Sequence, residues 1–176
     1  MPRLFTGLEV PESVALRLSL LCGGLGGARW IAPGDYHVTL TFVGEINGAA
    51  ARELEEELAQ IESEPFRIRL IGLSAFGGDR PRALITSVEL TSALSALQNA
   101  SDRAVRRIGL EPERRRYTPH VTIARLNGVS AAVVAGYLGE RFFEPVEFTV
   151  RRFVLYSAHT SRGGGPYTVE AAYPLR

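Results

Sequence analysis

Pro119-His120-Val121-Thr122-Ile123 repeats, half a chain later, what Tyr36-His37-Val38-Thr39-Leu40 has already spelled. Both tetrads sit among apolar and β-branched residues, a composition that reads as strand. Successive side chains on a strand alternate faces, so each His and the Thr two residues on point the same way, roughly 6 to 7 Å apart. Each half of the chain then offers one imidazole and one hydroxyl to a shared space.

Outward from the tetrads, the rest of the chain falls into place. Arg3 to Val10 alternates as a strand, and Pro11 opens a helix whose apolar positions are Val14, Leu16, Leu18 and Leu21. Residues 26–36 read as loop. The first tetrad strand runs to Val43, and Asn47 can cap a helix over 49–61 whose acidic outer face is solvated. Residues 66–76 and 82–90 form a hairpin about Gly77-Gly78-Asp79-Arg80-Pro81, and a helix over 92–108 follows. After the second tetrad comes a helix over 130–138, then a hairpin of strands 148–156 and 167–173 around the loop 161–166. The pattern of tetrad strand, helix and hairpin recurs, with no linker composition between the halves. It predicts an α+β fold: two similar lobes of mainly antiparallel sheet with helices packed outside, facing across a central cleft. Residues 1–176 are expected to be one bilobal domain with a pseudo-two-fold internal repeat.

A chain of 176 residues can bury a sizeable core. Its net charge of +1 names no polyanionic partner, but the halves differ. Residues 1–88 carry 8 Arg against 11 acids, and residues 89–176 carry 12 Arg against 8 acids, so the second half is the side expected to meet phosphate. No stretch of 18 uncharged apolar residues suggests a membrane span, and the amino end reads as a strand rather than a signal peptide. The expectation is a cytoplasmic monomer without a protein partner. Cys22, alone in the chain, cannot form an internal disulfide and sits in an apolar helical pattern.

Imidazole titrates near neutrality, so one ring can take a proton while its partner gives one. In-line displacement at phosphorus needs that pair: one group activates a nucleophile and the opposite one protonates the leaving oxygen. The threonine hydroxyls can donate to the non-bridging phosphate oxygens, and no metal or other cofactor is required. Two rivals stand beside this reading. A His on a strand is commonly a satisfied structural residue, and three histidines could also be zinc ligands, although no local His-x-x-x-His or Cys-x-x-Cys pair exists. Gly163-Gly164-Gly165 precedes a strand and fits a turn better than a nucleotide loop. His159 reads as an exposed polar residue and Trp30 as a packing residue. Arg114, Arg115 and Arg116 could steer a phosphate-bearing ligand toward His120 or form a merely solvated loop.

The doubled tetrad resembles the paired His-x-Thr-x motifs of the two-histidine phosphoesterase superfamily. The likeness extends to Arg3-Leu4-Phe5-Thr6-Gly7-Leu8, Arg29-Trp30, Thr41-Phe42-Val43-Gly44-Glu45, Tyr117-Thr118-Pro119-His120-Val121-Thr122-Ile123-Ala124-Arg125 and Phe153-Val154-Leu155-Tyr156-Ser157. Together these are similar to the RNA 2′,3′-cyclic phosphodiesterase branch, also called 2′-5′ RNA ligase-like. The resemblance implies that His37 and His120 are the catalytic pair and that Thr39 and Thr122 hold the phosphate. It implies Arg125 beside that phosphate and Phe42 stacked on the terminal base. The implied reaction is metal-independent hydrolysis of an RNA 3′ end bearing a 2′,3′-cyclic phosphate to a 2′-phosphate. His120 would activate water and His37 would protonate the departing oxygen. Alternatives at the same site are 2′-5′ RNA ligation, hydrolysis of a small cyclic nucleotide phosphate, and a non-catalytic RNA- or nucleotide-binding module.

Overall fold

The computed structural model describes residues 1–159 and 164–176. Its strands are β1 (Arg3–Glu9), β2 (Ala28–Trp30), β3 (His37–Glu45), β4 (Phe66–Phe76), β5 (Ala83–Val88), β6 (His120–Leu126), β7 (Val146–Val150), β8 (Arg152–Ala158) and β9 (Tyr167–Pro174). Four helices join them: α1 (Glu12–Ser19), α2 (Gly48–Ala59), α3 (Ser92–Arg107) and α4 (Ala131–Gly139). The last three begin alike, because the side chains of Asn47, Thr91 and Ser130 accept the otherwise unpartnered N–H of Ala50, Leu94 and Val133.

All strands among the described residues belong to one sheet in the order β7-β4-β5-β6-β3-β1-β8-β9, with β2 also paired to β6. Every pairing is antiparallel, and with four helices the fold is α+β, as the sequence predicts. The sheet has a seam. Strands β3 and β6 share one paired position, Val38 with Val121, whereas β1 with β3 and β5 with β6 run together over most of their lengths. A tetrad strand stands on each side of that seam, followed outward by β5, β4 and β7 on one hand and by β1, β8 and β9 on the other.

The main core lies between one sheet face and the helices, where Leu8, Leu54, Leu58, Leu94, Leu97, Val38 and Val121 are fully or almost fully shielded. Burying each large aliphatic side chain contributes about 1.5–3 kcal/mol. A second, smaller apolar cluster of Phe5, Val154 and Tyr156 is separate from it. Strand β8 therefore buries residues in succession: Phe153 and Leu155 join the main core, while Val154 and Tyr156 join the small cluster.

The structure changes three local expectations. Residues 148–156 are not one strand. They break at Arg151, so that β7 pairs with β4 and β8 crosses the seam to pair with β1. In the stretch read as loop, residues 28–30 form β2 along β6. Helix α1 is shorter than predicted and buries Val14, Ala15 and Leu18, leaving Leu16 63% exposed, because only a narrow face of this short helix meets the sheet. Of the predicted loop 161–166, Ser161, Arg162 and Gly163 lie outside the described residues. Among the described residues no helix is long and apolar enough to cross a membrane.

Candidate active site

One residue pair at the seam organises the site. Val38 and Val121 face each other and are both fully buried. Alternation along each strand then turns His37, Thr39, His120 and Thr122 to the opposite face. In antiparallel register, position 37 lies nearest 122 and position 39 nearest 120, so each imidazole has the other tetrad's hydroxyl residue as its neighbour across the seam.

Both rings are held by the same device. His37 Nδ1 lies 2.8 Å from the carbonyl oxygen of Asp35, and His120 Nδ1 lies 2.7 Å from that of Thr118. A carbonyl can only accept, so Nδ1 carries the hydrogen in each ring and Nε2 keeps its lone pair for chemistry. In both cases the acceptor is two residues upstream, in the segment that leads into the tetrad strand. For His37 that lead-in is the short 3-10 segment Pro33–Asp35, and for His120 it is the irregular stretch Thr118-Pro119.

The surroundings of the rings differ. His37 packs against Phe5, Tyr156 and Tyr167, with centroids 5.0, 5.4 and 4.9 Å away. Burial pulls its pKa down to about 4, against the opposing effect of the Asp35 carbonyl, and the charges of His120 and Arg125 lower it further. His120 meets one ring edge-on, Phe76 at 4.7 Å. Its pKa is also lowered, first by burial and then by Arg125, with the Thr118 carbonyl opposing. Both shifts favour the neutral ring near pH 7.

A cleft of about 460 Å³ opens on this face. Thr39, Phe42, His120, Thr122 and Arg125 line it, while His37 stands behind the lining in its aromatic nest. Arg125 is exposed on β6 and has no carboxylate partner among the described residues. Phe42 is 55% exposed at the cleft wall, which separates it from a core phenylalanine. The other singled-out residues lie elsewhere. His159 Nε2 approaches Ser157 Oγ at 3.2 Å, Trp30 packs 6.2 Å from Tyr137, and Cys22 lies 3.4 Å from the Tyr36 hydroxyl. Among the described residues no group of three or more His, Cys, Asp or Glu side chains is arranged to hold a metal ion.

Four site residues escape a reading by motif. The Tyr117 hydroxyl donates to the Thr39 carbonyl at 2.7 Å, tying the approach to the second tetrad onto the first. Asp102 of α3 accepts from Thr41 Oγ1 at 2.6 Å and fixes the helix over β3. Gly7 pairs with Thr39, and a Cβ there would stand 2.9 Å from the Val38 carbonyl and 3.2 Å from the Tyr156 ring. Arg82 lines the cleft beside Ala83, whose register partner is Arg125. Tyr117 and Gly7 fall within quoted stretches, but the sequence carries no sign of what they touch.

The 2'-5' RNA ligase superfamily model matches residues 29–162. The RNA 2',3'-cyclic phosphodiesterase of Bacillus subtilis (strain 168) is 35% identical over 130 residues, covering 70% of this chain and 71% of that protein. The protein of the same name from Aquifex aeolicus is 32% identical over 175 residues, covering 95% and 90%. Among solved structures, a crystal structure of a phosphoesterase superposes with a TM-score of 0.80 at 20% identity, covering 99% of both chains. E. coli LigT complexed with 3'-AMP superposes with a TM-score of 0.77 at 21% identity, again over 99% of both. At those identities the likeness shows a shared fold.

Proposed function

Since the chain belongs to the 2'-5' RNA ligase superfamily, we propose that it is an RNA 2′,3′-cyclic phosphodiesterase that opens the terminal cyclic phosphate of an RNA 3′ end to a 2′-phosphate. The observation that carries this reading is the matched pair of imidazoles, each fixed through Nδ1 to a carbonyl two residues upstream and each with Nε2 free.

In this reading His120 takes a proton from water as its oxygen bonds to phosphorus. The phosphorus–O3′ bond breaks on the far side, and His37 supplies the proton to O3′. Each transfer contributes about a hundred- to ten-thousand-fold. Packing supports this division, because His120 lines the open cleft beside Arg125, whereas His37, partly exposed like His120, packs against Phe5, Tyr156 and Tyr167. The anionic phosphate between the rings offsets the desolvation that keeps His37 neutral in the free protein, and an imidazolium of low pKa is a strong acid toward an alkoxide. Thr39 and Thr122 donate to the non-bridging oxygens, Arg125 holds their charge, and Phe42 stacks on the last base. No metal takes part, and the chain works as one bilobal monomer in the cytoplasm.

The test is an RNA oligomer ending in a 2′,3′-cyclic phosphate, incubated with the protein with and without chelator. Conversion to a 2′-phosphate and 3′-hydroxyl end, unchanged by chelator, is the expected result. Binding without conversion would leave a nucleic-acid-binding module, and loss of activity on chelation would require a metal.

A further inference from the structure

A second cavity of about 590 Å³ lies between α3 and the loop 111–117. It is not separate from the cleft, because Asp102, Arg116 and Tyr117 line both. The two make one continuous groove that starts at His120 and Arg125 and leads away over α3. Each part has a volume typical of a small-molecule site.

The groove collects the positive charge of the protein. Six arginines and three carboxylates line it, a formal +3, while the whole chain is only +1. Two of the three carboxylates are engaged within the fold: Asp102 accepts from Thr41, and Glu113 pairs with Arg115 at 3.0 Å. Arg106 on α3, and Arg114 and Arg116 on the facing loop, are exposed and have no ion pair among the described residues. Exposed, unpaired guanidiniums along a groove track a chain of regularly spaced anions.

We infer that this groove is a binding site for the nucleotides upstream of the cyclic end, with Arg106, Arg114 and Arg116 on successive backbone phosphates. The inference rests on the phosphodiesterase reading and extends it: the protein grips its RNA beyond the terminal nucleotide, through residues that take no part in the chemistry. Arg106 and Arg114 line only the outer part of the groove, away from the histidines, so they separate chain binding from chemistry.

The experiment measures KM for an RNA oligomer with a 2′,3′-cyclic end and for a nucleoside 2′,3′-cyclic phosphate, in the wild type and in Arg106→Glu/Arg114→Glu. The expected result is a rise of about tenfold or more for the oligomer with the nucleoside value within about twofold. An equal rise for both substrates, or none for either, overturns the groove. In parallel, fluorescence anisotropy follows a labelled oligomer with a 2′-phosphate end. For Arg106→Ala/Arg114→Ala the slope of log affinity against log salt should become shallower by about 1.4, at about 0.7 per lost contact on a single strand. An unchanged slope in a variant that melts like the wild type rejects the proposal. Weakened binding together with no hydrolysis of any cyclic end keeps the groove and rejects the phosphodiesterase. Hydrolysis with no groove effect does the reverse.

Discussion

The two sides of the seam share a skeleton and differ in what covers it. On each, a tetrad strand opens with a histidine whose Nδ1 bonds the carbonyl two residues back. On the β3 side three aromatic rings from β1, β8 and β9 pack against His37, and on the β6 side one ring touches His120 while arginines and open space take the remaining room. Repetition of backbone and hydrogen bond therefore does not make two equivalent acids. Desolvation differs, and desolvation is the first cause of both pKa shifts.

The comparison breaks if either ring is dispensable. His37→Ala and His120→Ala should each lower kcat on a cyclic-phosphate RNA end by about 10² to 10⁴, with the double variant little worse than the weaker single one, because the proposed mechanism uses both in one step. Near-normal turnover by either single variant would end the two-histidine reading.

Acid stability sharpens it. The folded pKa of His37 lies below the ordinary value of 6.5. As pH falls from 6.5 toward 4, the unfolded chain gains a proton that the folded one refuses, and stability is lost by roughly 2 kcal/mol through that window. His37→Gln should remove most of this loss, measured as the difference in urea unfolding free energy between pH 7 and pH 4.5. The same substitution at His120 should remove less. Equal effects at both positions would mean that the aromatic nest does not distinguish them.

The smallest expected effect concerns the tie across the seam. Tyr117→Phe deletes the 2.7 Å hydrogen bond to the Thr39 carbonyl and should cost about 1 kcal/mol in unfolding free energy. Because Thr39 shifts with that carbonyl, kcat should fall by a few-fold while the His120→Ala background shows no further loss. A variant as active and as stable as the wild type would make Tyr117 a bystander.

Much of the site was legible in the chain because its parts are local. A His and the Thr two residues on share a face wherever they lie on a strand, so the tetrads declared both their partnership and their strand setting before any fold was known. Asn47 announced a helix start for the same reason, since a cap acts on a backbone three residues away. Residues 148–156 misled because their apolar run serves two covered faces. Alternation is lost where β8 is buried on both sides, and the switch at Arg151 leaves no local mark.

By itself, the sequence determined two histidine-threonine pairs, an α+β fold with an antiparallel sheet, an acidic first half and a basic second half. The tertiary structure alone decided that Val38 meets Val121, that Phe5, Tyr156 and Tyr167 pack against one ring while Phe76 meets the other, and that Arg82 and the loop 111–117 join the cleft. The physical reason is range. Backbone alternation and capping act over two to four residues and are written in order along the chain, whereas desolvation and electrostatic neighbourhood depend on groups tens of positions apart or more that only the folded sheet brings together.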